Sequence, residues 1–200
     1  AQARAALISD ITYDIDLDIA DQTLDDQGAP RAKTFTSITT IGFTLTSAAP
    51  ELFINLNAPR IDRLTVNGGE STLRAYSFEN SRIVLRDLPA GANEIRIEAQ
   101  CAYQHNGVGL HRFVDPVDGK TYVYTHFEPF DAHRVFACFD QPDLKARFRT
   151  VVRAPFSWEV CANSRAEAQA DNGDSTRTWR FRETPPLPTY LMALAGAEYH

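Results

Sequence analysis

Cysteine is scarce in this chain: Cys101, Cys138 and Cys161 are the only three among 200 residues, and they are widely spaced. An odd count with no C-x-x-C pair provides neither a disulfide framework nor a zinc knuckle. The cytoplasm is the expected compartment, with the three thiols serving as small buried apolar residues. No apolar run reaches the roughly eighteen residues a membrane-spanning helix needs, so no membrane partner is expected. The opening AQARAALISD has a single arginine, no proper apolar core and no cleavage pattern, so it is not a signal peptide. It fits a short helical arm, and the missing initiator Met predicts a trimmed or processed chain. Basic clusters are lacking too. Arg60, Arg63, Arg74, Arg82 and Arg86 are scattered and the formal net charge is −6, which argues against a nucleic-acid surface.

Catalytic signatures are equally sparse. There is no G-x-S-x-G, no cysteine in an activating context and no H-E-x-x-H. The loop Gly107-Val108-Gly109-Leu110 lacks the third glycine and the Lys-Ser/Thr pair of a phosphate loop. His126 and His133 flank a proline and share no helical face, while His105 and His111 bracket the glycine loop. None has the spacing of a metal site, and a solvated or hydrogen-bonded histidine is the default. No catalytic residue and no metal ligand is therefore assigned within this chain.

What the chain does have is strand patterning. Ile11, Tyr13, Ile15, Leu17 and Ile19 alternate with Thr12, Asp14, Asp16 and Asp18, a strand with one buried face and one acidic face. The aspartates line one side of a strand instead of converging on a turn, so solvation and protection against edge pairing are expected of them, not calcium binding. Further strands are expected at 35–45, 52–56, 60–66, 81–85, 94–98, 148–152, 158–161, 176–182 and 190–194. Asn67-Gly68-Gly69 and Asp171-Asn172-Gly173-Asp174 mark hairpin tips. Helical periodicity is confined to the N-terminal arm and to 131–136. The pattern predicts a single all-β domain over residues 1–200, an antiparallel β-sandwich with a short N-terminal helical arm. The apolar strand that runs up to His200 predicts that more polypeptide follows.

One segment carries more chemistry than a sheet requires: Tyr122 to Phe148, YVYTHFEPFDAHRVFACFDQPDLKARF. Glu128 precedes Pro129, which restricts its backbone, and it stands among Tyr122, Tyr124, Phe127, Phe130 and Phe136. A carboxylate in such surroundings is either neutralised by a basic neighbour, with Arg134 and Lys145 at hand, or held for a cationic ligand.

The run Thr125-His126-Phe127-Glu128-Pro129, Asp131-Ala132-His133-Arg134, Phe136-Ala137-Cys138-Phe139-Asp140-Gln141-Pro142, Lys145-Ala146 and Phe148 resembles a long, specific pattern. It is that of the N-terminal domain of the aminopeptidase N family of zinc metallopeptidases, T-Q-F-E-P-x-D-A-R-R-x-F-P-C-F-D-E-P-x-x-K-A-x-F. Leu110-His111-Arg112-Phe113 with Tyr122, the opening Tyr13 to Asp18, Asn163-Ser164 and Pro188-Thr189-Tyr190-Leu191 extend the likeness over the whole chain. The Phe136 to Pro142 variant and the N-terminal arm look most like actinobacterial members.

The resemblance implies a saddle-shaped β-sandwich that packs on its own C-terminal catalytic domain. That domain, absent from this sequence, would carry the G-A-M-E-N and H-E-x-x-H motifs and the zinc. It also implies that this domain supplies the substrate-binding residue Glu128, which holds the free α-amine of peptide substrates, with His126 beside it where many relatives have Gln. Asp131, Arg134, Cys138 and Asp140 are expected to build the loop. A chain of this kind would be inert alone. The alternatives from other classes are a free-standing β-sandwich module that binds carbohydrate or protein, marked by exposed aromatics on one sheet face, and a non-catalytic scaffold relative.

Overall fold

The structure, a computed structural model, describes residues 2–70, 76–77 and 81–199; Arg74 and His200 lie outside the described residues. A short helix α1 (Gln2–Leu7) leads directly into strand β1 (Ile8–Asp18). Then come β2 (Thr34–Leu45), β3 (Ala49–Asn55), β4 (Arg60–Val66) and β5 (Gly69–Glu70), followed by β6 (Tyr76–Ser77), β7 (Arg82–Leu88) and β8 (Gly91–Ala102). A hairpin of β9 (Gly109–Val114) and β10 (Thr121–His126) precedes the motif segment. After it run β11 (Arg147–Pro155), β12 (Glu159–Ala162), β13 (Ala166–Asp171), β14 (Thr176–Phe181) and β15 (Leu194–Ala197).

These strands make three sheets: an eight-stranded sheet ordered β13-β14-β11-β1-β2-β8-β4-β5, a four-stranded sheet β12-β15-β10-β9 and a three-stranded sheet β3-β7-β6. Tyr13 and Ile97 of the large sheet share one contiguous core with Ile54 and Leu85 of the three-stranded sheet and Val123 and Val160 of the four-stranded one. The result is an all-β sandwich with a short N-terminal helix. Strand alternation drives it, because each inward Ile or Leu of β1 and β2 contributes about 1.5–3 kcal/mol by leaving water.

Period-2 patterning located β1 well, yet its place in the sheet differs from expectation. The strand is central, between β11 and β2, and its pairing with β11 is parallel in an otherwise antiparallel framework. Its acidic face is therefore not an edge guard. Asp14 lies opposite Arg149 and Asp18 opposite Arg153, with contacts of 3.4 and 2.7 Å. A bulge at Asp10, with φ of 54°, lets both Ile8 and Ile11 face the core. Directly across, Gly42 leaves room that a Cβ would not, since one would stand 2.7 Å from Thr12 Oγ1.

Other expectations change. The strand predicted at 190–194 is a 3₁₀ turn over Thr189–Leu191, and β15 begins only at Leu194. Asn163 causes the delay: its amide nitrogen donates to Leu191 O at 2.7 Å and its oxygen accepts from Ala193 N at 2.7 Å. Helix at 131–136 is reduced to the 3₁₀ turn Ala132–Arg134. Strands β5, β6, β9 and β10 fall outside the expected ranges, and β13 is the strand that the hairpin tip at 171–174 requires before it. Cys101 and Cys138 are buried as expected, but Cys161 is exposed because its side of β12 faces outward.

Candidate functional site

β10 carries the chain into the motif and ends at His126. The next residue, Phe127, is an anchor: it is buried and meets Phe136 edge-on at 5.9 Å. Glu128, Pro129 and Phe130 then project as an exposed turn, with a cis Glu128-Pro129 peptide bond. The turn closes where Asp131 N donates to Phe127 O at 2.9 Å, and the Arg134 guanidinium binds the Asp131 carboxylate.

Below this turn the loop is tied to the core. Asp140, buried, accepts from His133 N at 3.2 Å, shares a 2.8 Å contact with His133 Nδ1 and accepts the Thr189 hydroxyl at 2.7 Å. Cys138 exchanges both backbone hydrogen bonds with Asn55 of β3, and Phe139 N donates to the Tyr13 hydroxyl at 2.9 Å. Burial pushes the Tyr13 hydroxyl well above its ordinary value, with the nearby Cys138 adding to the rise, so this phenol stays protonated. From the far side, Arg4 of α1 donates to Gln141 Oε1 at 3.0 Å and lies over the Phe53 ring at 4.3 Å. Gly109 sits close against Arg134, where a Cβ would lie 3.2 Å from Arg134 Cβ, so the β9–β10 hairpin and the 3₁₀ turn are packed as one piece.

The carboxylate thus presented is not buried, contrary to its sequence surroundings. Phe127 and Phe136 turn into the core, and Phe130 is exposed against His133. Glu128 is exposed and, among the described residues, has no hydrogen-bond or ion-pair partner. Arg134 is committed to Asp131, and Lys145 is exposed and forms no ion pair with it. An exposed anion on a rigid support is chemically suited to meet a cation brought to it.

His126 is exposed, and its Nδ1 lies 2.9 Å from Gly107 O. A carbonyl only accepts, so Nδ1 is the donor in this contact and Nε2 is left facing away from it. The same Gly107 donates its N–H to His111 Nδ1 at 3.1 Å, which fixes the opposite tautomer there. Burial, then the neighbouring His105, lowers the His111 pKa, which keeps that acceptor nitrogen bare. Sequence reasoning missed this bridge, because only the β9–β10 pairing brings residues 107, 111 and 126 together. It also left Asp140 without partners; the signal was a lone acidic residue inside an apolar run.

No group of three or more His, Cys, Asp or Glu side chains is arranged for a metal among the described residues.

Comparison with known proteins now bears on this geometry. The sequence profile of the Peptidase M1 N-terminal domain matches residues 9–191. Aminopeptidase N of Streptomyces lividans is 44% identical over all 200 residues, which cover 22% of that protein. A probable M1 family aminopeptidase 1 of Encephalitozoon cuniculi is 38% identical over 124 residues, 60% of this chain and 14% of the relative. Glutamyl aminopeptidase of Sus scrofa is 26% identical over 181 residues, 83% of this chain and 19% of the relative. The chain therefore spans between 14% and 22% of these relatives' lengths. It belongs to the peptidase M1 family, of which it is the N-terminal domain.

Proposed function

We propose that this domain is part of a zinc-dependent aminopeptidase and that Glu128 binds the α-ammonium of the peptide substrate. The supporting observation is the partnerless Glu128 carboxylate, held out on a turn that is anchored on both sides. Next to a scissile bond, only the first residue of a peptide offers an ammonium; an internal peptide bond offers a neutral N–H. A fixed anion therefore favours the terminal bond and sets the distance from amine to reacting carbonyl. His126, whose Nδ1 donates to Gly107 O, offers a second ammonium hydrogen its Nε2 lone pair when the ring is neutral.

The residues of this chain hold the amine and orient the substrate; hydrolysis belongs to the polypeptide outside it. That remainder would hold the zinc, which when bound would supply an activated water for the peptide carbonyl. The three free thiols fit a reducing compartment, and we assign the enzyme to the cytoplasm. In the full-length protein, Glu128→Ala is expected to cut turnover severely at unchanged zinc content, and wild-type turnover in that variant would overturn the assignment. Downstream H-E-x-x-H and G-A-M-E-N motifs are required as well; a gene without them removes the assignment.

A second function has one observation in its favour. Phe113, Tyr124 and Tyr199 stand exposed on the four-stranded sheet, as the surface of a carbohydrate- or protein-binding module would. The occupant of that face separates the two.

A further inference from the structure

A cavity of about 230 Å³ lies where α1, β3 and β7 meet the motif loop, bringing Arg4, Phe53, Asn55 and Arg82 together with Phe130 and Asp140. Two of these side chains are cations on one ring. The Arg4 and Arg82 guanidinium carbons are each 4.3 Å from the Phe53 centroid, so the two charges stand within twice that distance of each other. Arg4 is fixed: Nε donates to Gln141 Oε1 at 3.0 Å and Nη1 to Phe53 O at 3.3 Å, which leaves Nη2 without a partner. Arg82 is exposed and pairs with no carboxylate among the described residues. Burial chiefly lowers the Arg4 pKa, and the like charge of Arg82 adds to the effect. An anion between the two guanidinium groups would turn that repulsion into attraction. The carboxylate of the cavity wall does not serve, because Asp140 is already engaged by His133 and by the Thr189 hydroxyl.

Asn55 supplies an independent observation. It lines the same cavity, is only 3% exposed, and its buried Oδ1 has no hydrogen-bond partner. Buried amides are nearly always bonded, because a bare one forfeits its bonds to water. We propose that this cavity binds a phosphate group, either the free ion or the terminal group of a small monoester. Phosphate oxygens can accept from both guanidinium groups, the pairing in which arginine excels. A monoprotonated phosphate also carries a hydroxyl that can donate to Asn55 Oδ1. With the amide turned over, Nδ2 donates to a phosphate oxygen instead, so either orientation is satisfied. A carboxylate has no hydrogen for Oδ1, and a halide has neither hydrogen nor a second oxygen. The volume is several times the roughly 30 Å³ share of a water molecule, enough for such a group. Nothing in the sequence signals this site, because Arg4, Asn55 and Arg82 are far apart along the chain. The inference does not depend on the amine-binding role of Glu128.

Equilibrium dialysis of the full-length protein against inorganic phosphate, with ionic strength held constant by sodium chloride, tests this. Wild type is expected to bind phosphate saturably. Arg82→Gln should bind it at least about tenfold more weakly, as loss of a charge-assisted hydrogen bond implies, and because Arg82 is exposed the variant keeps its fold. Arg86→Gln is the control: Arg86 lies on the same strand but pairs with Glu51 at 3.1 Å, so wild-type affinity is expected. Unchanged affinity in Arg82→Gln would overturn the inference, since phosphate held elsewhere, by a metal or by other basic residues, does not respond to Arg82. So would the absence of binding at millimolar phosphate, or an equal loss in both variants, which marks a diffuse effect of net charge. Glycerol 3-phosphate separates the two sources: displacement of bound phosphate shows that the site accepts a monoester, and failure to displace it restricts the site to the free ion.

Discussion

Replacing Asp140 by alanine strikes the support of the candidate site without touching its exposed surface. The carboxylate accepts from the His133 backbone N–H, contacts His133 Nδ1 and accepts the Thr189 hydroxyl, all from buried residues. These bonds join the motif loop to the 3₁₀ turn ahead of β15, so their loss uncouples two segments far apart in sequence. Alanine leaves three buried polar groups, the His133 N–H, His133 Nδ1 and the Thr189 hydroxyl, without their acceptor. Removing one partner of such a buried polar cluster costs about 3–5 kcal/mol. For a chain of this size each kcal/mol moves the midpoint by about 2–4 °C, so the thermal midpoint of Asp140→Ala should fall by roughly 6–20 °C. Calorimetry on the 200-residue chain reads this directly. Thr189→Val removes only one donor and should cost about 1–2 kcal/mol, a clearly smaller drop. An Asp140→Ala midpoint within about 2 °C of wild type would show that water or rearrangement satisfies the cluster, and would refute the claim that it fixes the loop.

Gly42→Ala should destabilise by about 1–3 kcal/mol, because its Cβ meets Thr12 Oγ1 at 2.7 Å, and Thr12→Ala added to it should restore part of the loss in denaturant melts. For His111, burial and His105 lower the folded-state pKa below the ordinary 6.5. The unfolded chain therefore takes up the proton first as pH falls through that value, and stability drops with falling pH until the folded-state pKa is passed. In His111→Gln the melting midpoint should depend less steeply on pH in that window, and an unchanged slope would contradict the assignment.

Much of this fold could be read from the sequence where one face of a strand is wet. β1 and β2 alternate cleanly because their outer faces are polar. The same rule hid β9 and β10, whose outward residues are aromatic and whose inward set includes Arg112. That arginine is 1% exposed, stacked at 3.8 Å on Tyr103 and bonded to Ala32 O. A charge facing in and rings facing out invert the usual signal. The parallel β1–β11 pairing joins residues 135 positions apart, which no local pattern encodes. At the site, the motif located Glu128, but its exposure follows from Phe127 turning inward, and its lack of a partner from Arg134 choosing Asp131.

Capture of the α-amine by Glu128 is tested most directly by kcat/KM for one peptide with a free and with an acetylated N-terminus, in full-length wild type and Glu128→Ala. A charge-assisted hydrogen bond is worth about 1.5–3 kcal/mol, so the variant should lose about 10- to 150-fold on the free-amine peptide. Its preference for that peptide over the acetylated one should shrink by the same factor, with zinc content unchanged. A variant that keeps the wild-type preference would contradict the account.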